Sequence, residues 1–206
     1  MPQKLTYLQE TASQTAGPYV HIGLAPAAAG FDIYTQELGH DICGPNAKGE
    51  RIRVEGRVID GMGAPIKDAL LEVWQANAEG HYAHPEGGGA VEEGFRGWGR
   101  VITDFETGAW RFDTVKPGPT RCPTMGAQAP HLTLWLVARG INIGLNTRMY
   151  FGDEAAANAT DPVLNLIEWE GRRSTLIAAR QDGGDGPVYR FDIRLQGDAE
   201  TVFFDV

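Results

Sequence analysis

Short apolar runs separated by glycine- and proline-rich turns constrain the fold of this chain more than any other feature. RIRVEGRVID, ALLEVWQA and AWRFDTV each end at a turn such as DGMGAP or KPGP, and the 206 residues include 27 glycines and 12 prolines. Runs of this length and spacing are typical of all-β proteins rather than helical or βαβ ones. We therefore predict an all-β fold, a β-sandwich of mostly antiparallel strands with an irregular N-terminal arm and short helices.

The individual runs predict strands from residue 51 onward, after a turn-rich arm. Two segments, 98–104 and 109–115, flank the turn DFETG and predict a hairpin, and His131–Arg139 is apolar enough to be a central strand. Asp161 followed by Pro162 is typical of a helix start. Strands are predicted at 51–60, 69–76, 98–104, 109–115, 131–139, 147–151, 174–180, 188–195 and 200–206, with short helices at 152–159 and 161–169.

Charge and composition exclude several classes of function. The chain carries 18 Lys and Arg against 27 Asp and Glu, a net charge of −9, so a nucleic-acid partner is not expected. No apolar run is long enough to span a membrane, and the first residues lack a secretory signal pattern. The two cysteines, Cys43 and Cys122, form no CxxC pair and favour a cytoplasmic location with free thiols.

Two stretches carry side chains that could bind a metal. One is His81-Tyr82-Ala83-His84, and the other is His131-Leu132-Thr133, where residues 131 and 133 share one face of a strand. A His-x-His pair would make a two-ligand clamp, but Thr133 is a neutral hydroxyl and a poor ligand. The residues alone therefore predict a β-sandwich with an incomplete metal site, in which His131 is more simply a hydrogen-bonded structural histidine.

Six segments together resemble the intradiol aromatic-ring dioxygenases. They are TAGPYVHIGL (15–24), LEVWQAN (71–77), TVKPG (114–118), APHLTLWLVARGINIGLNTRMYF (129–151), DPVLNLIE (161–168) and YRFDIRLQGDAETVFFDV (189–206). The match is closest to the α chains of the heteromeric members of that family. The resemblance implies an N-terminal arm over residues 1–50 that packs on a partner chain, and an intradiol dioxygenase-like β-sandwich domain over residues 51–206. Apolar arm residues suited to such packing are Tyr7, Tyr19, Ile22, Leu24, Phe31 and Tyr34. The part of the arm after Leu24 could instead wrap the chain's own sandwich.

The resemblance also implies where iron belongs. In the heteromeric members the β chain holds non-haem Fe(III) through two tyrosines and two histidines. The matching positions here are Tyr82, Thr120, His131 and Thr133, so threonine replaces one tyrosine and one histidine. Phenolates are hard anionic donors that suit ferric iron, whereas a threonine hydroxyl stays neutral. We expect these four positions to be vestigial, no metal in this chain, and Fe(III) held by the partner β chain.

The same resemblance implies the role of the chain. It would be the non-iron α subunit that shapes a substrate pocket at the interface with an iron-bearing β subunit. The complex would cleave protocatechuate, a catechol carrying a carboxylate, with O2 to 3-carboxy-cis,cis-muconate, in a higher-order assembly of αβ units. Residues that match the pocket are Thr15, Gly17, Pro18, Tyr19 and Arg139. Arg148 is expected to be structural, and the isolated chain is expected to be inactive.

Two alternatives remain open from the sequence. The chain could be a self-sufficient metal-dependent catechol dioxygenase in which His81, His84 or an acidic residue replaces the missing ligands. It could instead be a non-catalytic β-sandwich that binds a small aromatic molecule. The substitutions Thr120 and Thr133 argue against the first alternative, and the ARGINIG and ETVFFD matches argue against the second.

Overall fold

The computed structural model describes residue 12 and residues 14–36, 38–184 and 186–205. The strands are β1 (Arg51–Ile59), β2 (Leu70–Trp74), β3 (Trp98–Ile102), β4 (Ala109–Val115), β5 (Thr120–Cys122), β6 (Gly126–Gln128), β7 (His131–Val137), β8 (Leu145–Phe151), β9 (Ile177–Gly183), β10 (Gly186–Arg190) and β11 (Ile193–Arg194). The helices are α1 (Tyr19–Leu24), α2 (Ala155–Thr160), α3 (Pro162–Leu166) and α4 (Glu170–Arg173), and a short 3-10 helix spans Ser174–Leu176.

The strands form two layers that continue into one another. One layer has the order β4-β1-β10-β9 and the other has the order β8-β7-β2-β3, and a short parallel pairing of β8 with β9 joins them. β11 continues alongside β1 beyond β10, and β5 with β6 forms a separate hairpin. Most of the ladders are antiparallel, as in β7 against β2 and β8. The predicted all-β sandwich is confirmed.

The core lies between the two layers and follows from side-chain alternation along each strand. Leu132, Leu134 and Leu136 of β7 are fully buried, and they share one core cluster with Trp110 and Phe112 of β4 in the other layer. The rings of Trp110 and Phe112 stack with centroids 6.0 Å apart. Burying a side chain of this size stabilises the fold by roughly 1.5–3 kcal/mol. Because Leu132, Leu134 and Leu136 face inward, the residues between them face away from the core.

The hairpin predicted over residues 98–115 is wrong, although its two strands are present. β3 pairs with β2, and β4 pairs with β1, so the strands belong to different layers. The turn at Asp104–Gly108 carries the chain from one layer to the other, with the Gly108 amide donating to the Asp104 carbonyl oxygen at 2.8 Å. Alternation shows which face of a strand is buried, but it does not show which strand is its neighbour.

Three further segments differ from the predicted elements. The predicted strand 200–206 is reduced in the described residues to a single bridge between Phe204 and Asn146. The segment 174–180 begins with a 3-10 turn and becomes a strand only at Ile177, and the run 188–195 is interrupted between β10 and β11. Helix α1 within the arm and the β5–β6 hairpin are structures that the sequence patterns did not predict.

The arm divides into two parts in the structure. Residues 39–49 pack on the chain's own sandwich, since Ile42 belongs to the main core and its carbonyl oxygen accepts from the Gly97 amide at 2.9 Å. Residues 19–36 and Leu38 also expose large apolar side chains, although His21 among them is buried. Tyr7 and the rest of residues 1–11 lie outside the described residues, as do residues 13 and 37 of the arm. Among the described residues, every helix is too short or too polar to traverse a bilayer.

Candidate functional site

The positions that match iron ligands lie on the outer face of the β2-β7-β8 sheet. Trp74, Thr133 and Arg148 are direct partners across these three strands, so they form one row on that face. His131 and Tyr150 form the neighbouring row, with ring centroids 5.7 Å apart. The sequence expectation that residues 131 and 133 share a face therefore agrees with the register.

Tyr82 reaches this face from the loop after β2. Its ring stacks on Trp74 with centroids 5.7 Å apart and an angle of 8° between the planes, and its Oη lies 3.3 Å from His131 Nε2. Gly80 permits this arrangement, because it has a φ of +84° and a Cβ there would lie 1.9 Å from the Pro119 carbonyl oxygen. The loop can therefore lie close to the segment that leads into Thr120.

Thr120 completes a group of four, called here the Tyr82 cluster: Tyr82, Thr120, His131 and Thr133. Thr120 begins β5, is buried and pairs with Gln128 of β6. A hydrogen bond between the Thr120 and Tyr82 side chains is among the influences on the pKa of Tyr82. The structure therefore brings Tyr82, His131 and Thr120 together, and it places Thr133 beside Trp74, on which the Tyr82 ring stacks.

Burial and one nearby cation set the protonation of the cluster. Burial, with a smaller contribution from the positive charge of Arg148, lowers the pKa of His131 to about 4. Burial also raises the pKa of Tyr82, against opposing effects of Arg148 and of the hydrogen bond with Thr120. At neutral pH the cluster therefore holds a neutral imidazole and a neutral phenol.

Asp161 holds Tyr150, which lies beside His131, through a hydrogen bond from its hydroxyl. It accepts a hydrogen bond from Tyr150 Oη at 3.0 Å and from the Ala129 amide at 2.8 Å, while capping α3 through the amides of Val163 and Leu164. The predicted helix start at Asp161-Pro162 is confirmed, and its capping side chain also fixes the entry to β7. Burial raises the pKa of Tyr150 well above its ordinary range, so that hydroxyl remains a donor.

The Tyr82 cluster does not fit ferric iron. It offers one phenol and one imidazole, while the other two positions present neutral hydroxyls, and Arg148 is the direct cross-strand partner of Thr133. In the part of the chain that the structure describes, no three His, Cys, Asp or Glu side chains converge as metal ligands. His81 and His84 belong to no such group in the described residues, and their Nδ1 atoms contact the Ala90 carbonyl oxygen and the Glu86 amide, both at 3.2 Å.

A second feature, called here the Arg139 cleft, joins the arm to the loop after β7. The Gly140 amide donates to Thr15 Oγ1 at 2.7 Å, and Arg139 forms an ion pair with Asp68. The cleft has a volume of about 550 Å³, and its lining includes Pro18, Lys67 and Arg139. The structure therefore brings together three of the five predicted pocket residues, Thr15, Pro18 and Arg139.

The other two predicted pocket residues lie at the margin of this cleft. Tyr19 is 81% exposed on α1, and the Gly17 carbonyl oxygen accepts from the Val20 amide at 3.1 Å. His21 on the same helix was not among the predicted residues, yet it lines the cleft and is buried against Phe105 with ring centroids 5.6 Å apart. Its sequence signal was only its place within TAGPYVHIG, three residues after Pro18.

The Tyr82 cluster and the Arg139 cleft lie at opposite ends of one strand. His131 begins β7, whereas Arg139 follows its last residue, Val137. A seven-residue strand is about 20 Å long at roughly 3.3 Å per residue. Residues of the Arg139 cleft are therefore too far away to act on a group held in the Tyr82 cluster of the same chain.

Comparison with known proteins agrees with this fold. The Dioxygenase family model, Dioxygenase_C, matches residues 26–197. A protocatechuate 3,4-dioxygenase alpha chain from Pseudomonas putida is 52% identical over 205 residues, covering 100% of both chains. A protocatechuate 3,4-dioxygenase beta chain from Burkholderia cepacia is 37% identical over 174 residues, covering 78% of this chain and 72% of that one.

A solved structure shows the same fold at lower identity. It is the dioxygenase domain of a dioxygenase–carbohydrate-binding fusion protein from Streptomyces sp. SirexAA-E, with a TM-score of 0.56 and 23% identity over 79% of this chain and 88% of that one. The family match covers most of the sandwich, and the alpha-chain match runs the full length. This chain therefore belongs to the dioxygenase family that includes the protocatechuate 3,4-dioxygenase alpha chains.

Proposed function

We propose that this chain is the non-iron α subunit of a heteromeric protocatechuate 3,4-dioxygenase and completes a substrate pocket on an iron-bearing β subunit. The observation that carries the proposal is the full-length 52% identity to an alpha chain, combined with a Tyr82 cluster whose donors do not suit iron. In the complex, protocatechuate and O2 would be converted to 3-carboxy-cis,cis-muconate. The Fe(III) of the partner would supply the activation of the catechol ring toward O2.

The position of the Arg139 cleft supports a pocket shared with a partner. The cleft lies about 20 Å from the chain's own Tyr82 cluster, so a substrate held there needs a metal from another chain. Arg139 is 69% exposed despite its ion pair with Asp68, which leaves its guanidinium able to meet an incoming carboxylate. Protocatechuate carries such a carboxylate, whereas catechol does not.

The exposed apolar side chains of the arm support a partner in contact with this region. Tyr19, Ile33 and Leu38 are 81%, 62% and 74% exposed, and they lie within twenty residues of one another along the chain. Packing on the β subunit would bury them beside the Arg139 cleft. We propose that αβ units assemble further and that the complex is cytoplasmic, in keeping with the free thiols of Cys43 and Cys122.

Reconstitution with a β subunit tests the proposal. The chain, a β subunit and the two co-expressed are each assayed for oxygen uptake on protocatechuate. Activity that requires both chains, with none from this chain alone, is the expected result. Activity of this chain alone would support the self-sufficient enzyme, while binding of protocatechuate without a partner and without oxygen uptake in any complex would support the aromatic-binding carrier.

A further inference from the structure

Arg148 lies beside the Tyr82 cluster, and the loss of two ligands does not explain its presence there. Thr120 and Thr133 are enough to remove two ligands, yet Arg148 also places a positive charge beside the cluster. Arg148 is the direct cross-strand partner of Thr133, so the two side chains lie next to each other on one face. Its charge acts on both remaining donor residues, Tyr82 and His131.

Contacts on both flanks hold the guanidinium in place. Nη1 donates to Gln128 Oε1 at 3.0 Å and to Tyr150 Oη at 3.3 Å. Gln128 pairs with Thr120 across the β5–β6 hairpin, and Tyr150 packs against the His131 ring. Arg148 therefore connects the hairpin that carries one replaced position to the strand that carries the other.

The charge of Arg148 is also not neutralised by a carboxylate. Among the residues that the structure describes, no Asp or Glu oxygen lies within 4.0 Å of its guanidinium, whereas Arg53 and Arg100 lie 2.8 Å and 2.6 Å from Asp113 and Glu72. A half-buried cation without a counter-ion repels a second cation strongly, because the interior screens charge less than water does. A trivalent ion would meet this repulsion even if all four ligands were present.

We propose that the Arg148 guanidinium takes the place of the metal as the cation of the Tyr82 cluster, so that an iron site requires removal of this charge as well as the two lost ligands. The guanidinium offers fixed hydrogen-bond donors to Gln128 and Tyr150, which keeps the cluster ordered without a metal. Restoring the two lost ligands is then not sufficient for iron binding. This inference rests on the proposed absence of iron from this chain, but not on the substrate or the partner of the complex.

Matched variants of the full chain test the role of the charge. Thr120→Tyr with Thr133→His restores the donor types, and it is compared with the same pair carrying Arg148→Gln or Arg148→Lys. Iron content, the Fe(III) dissociation constant and the visible tyrosinate-to-iron absorption band are measured for each. The variant with Arg148→Gln is expected to bind Fe(III) roughly 100-fold more tightly than the other two, because only Gln removes the charge.

Iron binding by the three variants shows whether the charge of Arg148 is an obstacle to the metal. Equal iron binding by the three variants, whether all take up iron or none does, would overturn it. If the introduced tyrosine prevents folding, Thr133→His alone is combined with Arg148→Gln or Arg148→Lys, and Ni²⁺ binding is compared by calorimetry. Tighter binding with Gln than with Lys supports the charge as the obstacle, and equal binding contradicts it.

Discussion

Tyr82 Oη lies 3.3 Å from His131 Nε2. This contact joins the two residues of the Tyr82 cluster that match iron ligands and keep a side chain able to bind a metal. His131 Nδ1 lies 2.8 Å from the Ala129 carbonyl oxygen, which can only accept. The assigned tautomer therefore has the proton on Nδ1, which leaves Nε2 as the acceptor for the Tyr82 hydroxyl. The His131 Nε2 lone pair, which would bind a metal, therefore accepts a hydrogen bond from the Tyr82 hydroxyl.

His131 makes stability dependent on pH below neutrality. Because its pKa falls from 6.5 to about 4 on folding, the unfolded chain binds more protons between these values. Stability is therefore expected to fall as pH decreases from 6.5 to 4, by up to roughly 3 kcal/mol from this group. Urea unfolding followed by tryptophan fluorescence at several pH values measures the slope, and His131→Gln should reduce it. Parallel slopes for the two proteins would contradict this assignment.

Asp161 is expected to be a major contributor to stability. It is buried and accepts from Tyr150 Oη and from three backbone amides, so Asp161→Ala leaves several buried donors without partners. We expect a loss of roughly 3 kcal/mol in the free energy of unfolding. Asp104→Ala is the matched control, because that carboxylate also accepts from turn amides but is exposed. Similar losses for both variants would argue against the buried network.

Arg139 is expected to select for the carboxylate of protocatechuate in the assembled enzyme. Arg139→Ala should raise KM for protocatechuate by roughly tenfold or more, and it should change KM for catechol much less, since catechol lacks the carboxylate. Arg190→Ala is the control, because Arg190 is exposed and paired with Glu55 on the far layer. Equal changes for both substrates would remove Arg139 from this role.

The exposed part of the arm is expected to carry the contact with the β subunit. Ile33 is 62% exposed, and Ile33→Asp would place a charge in the buried interface and prevent co-purification. Met62 is 92% exposed in the turn after β1, so Met62→Asp should leave assembly unchanged. Size-exclusion chromatography with light scattering distinguishes the two. Normal assembly of the Ile33 variant would show that the arm contacts nothing essential there.

Local patterns predicted individual elements better than their arrangement. AWRFDTV predicted β4 at its observed bounds, and Asp161-Pro162 predicted the start of α3, because alternation and capping act between near neighbours. The pairing of β3 with β2, and of β4 with β1, depends on contacts between distant segments. The apolar run Val202-Phe203-Phe204 is too short to distinguish a strand from the single bridge that Phe204 makes with Asn146.

The resemblance predicts which residues form the site, whereas the charges around them can be placed only from the structure. Tyr82, Thr120, His131 and Thr133 come from separate segments, and periodicity alone does not bring them together. Arg148 was expected to be structural, and only the register of β7 against β8 places it beside Thr133. The predicted pocket residues remain a proposal, although Thr15, Pro18 and Arg139 do lie close together.

Iron stoichiometry distinguishes an α subunit without iron from a chain that carries its own metal. The chain is purified alone and as a co-expressed complex with its β subunit, and iron is counted per polypeptide by elemental analysis. We expect no stoichiometric iron in the isolated chain and one iron per αβ pair in the complex. Two irons per pair, or one iron per isolated chain, would show that this chain holds a metal of its own.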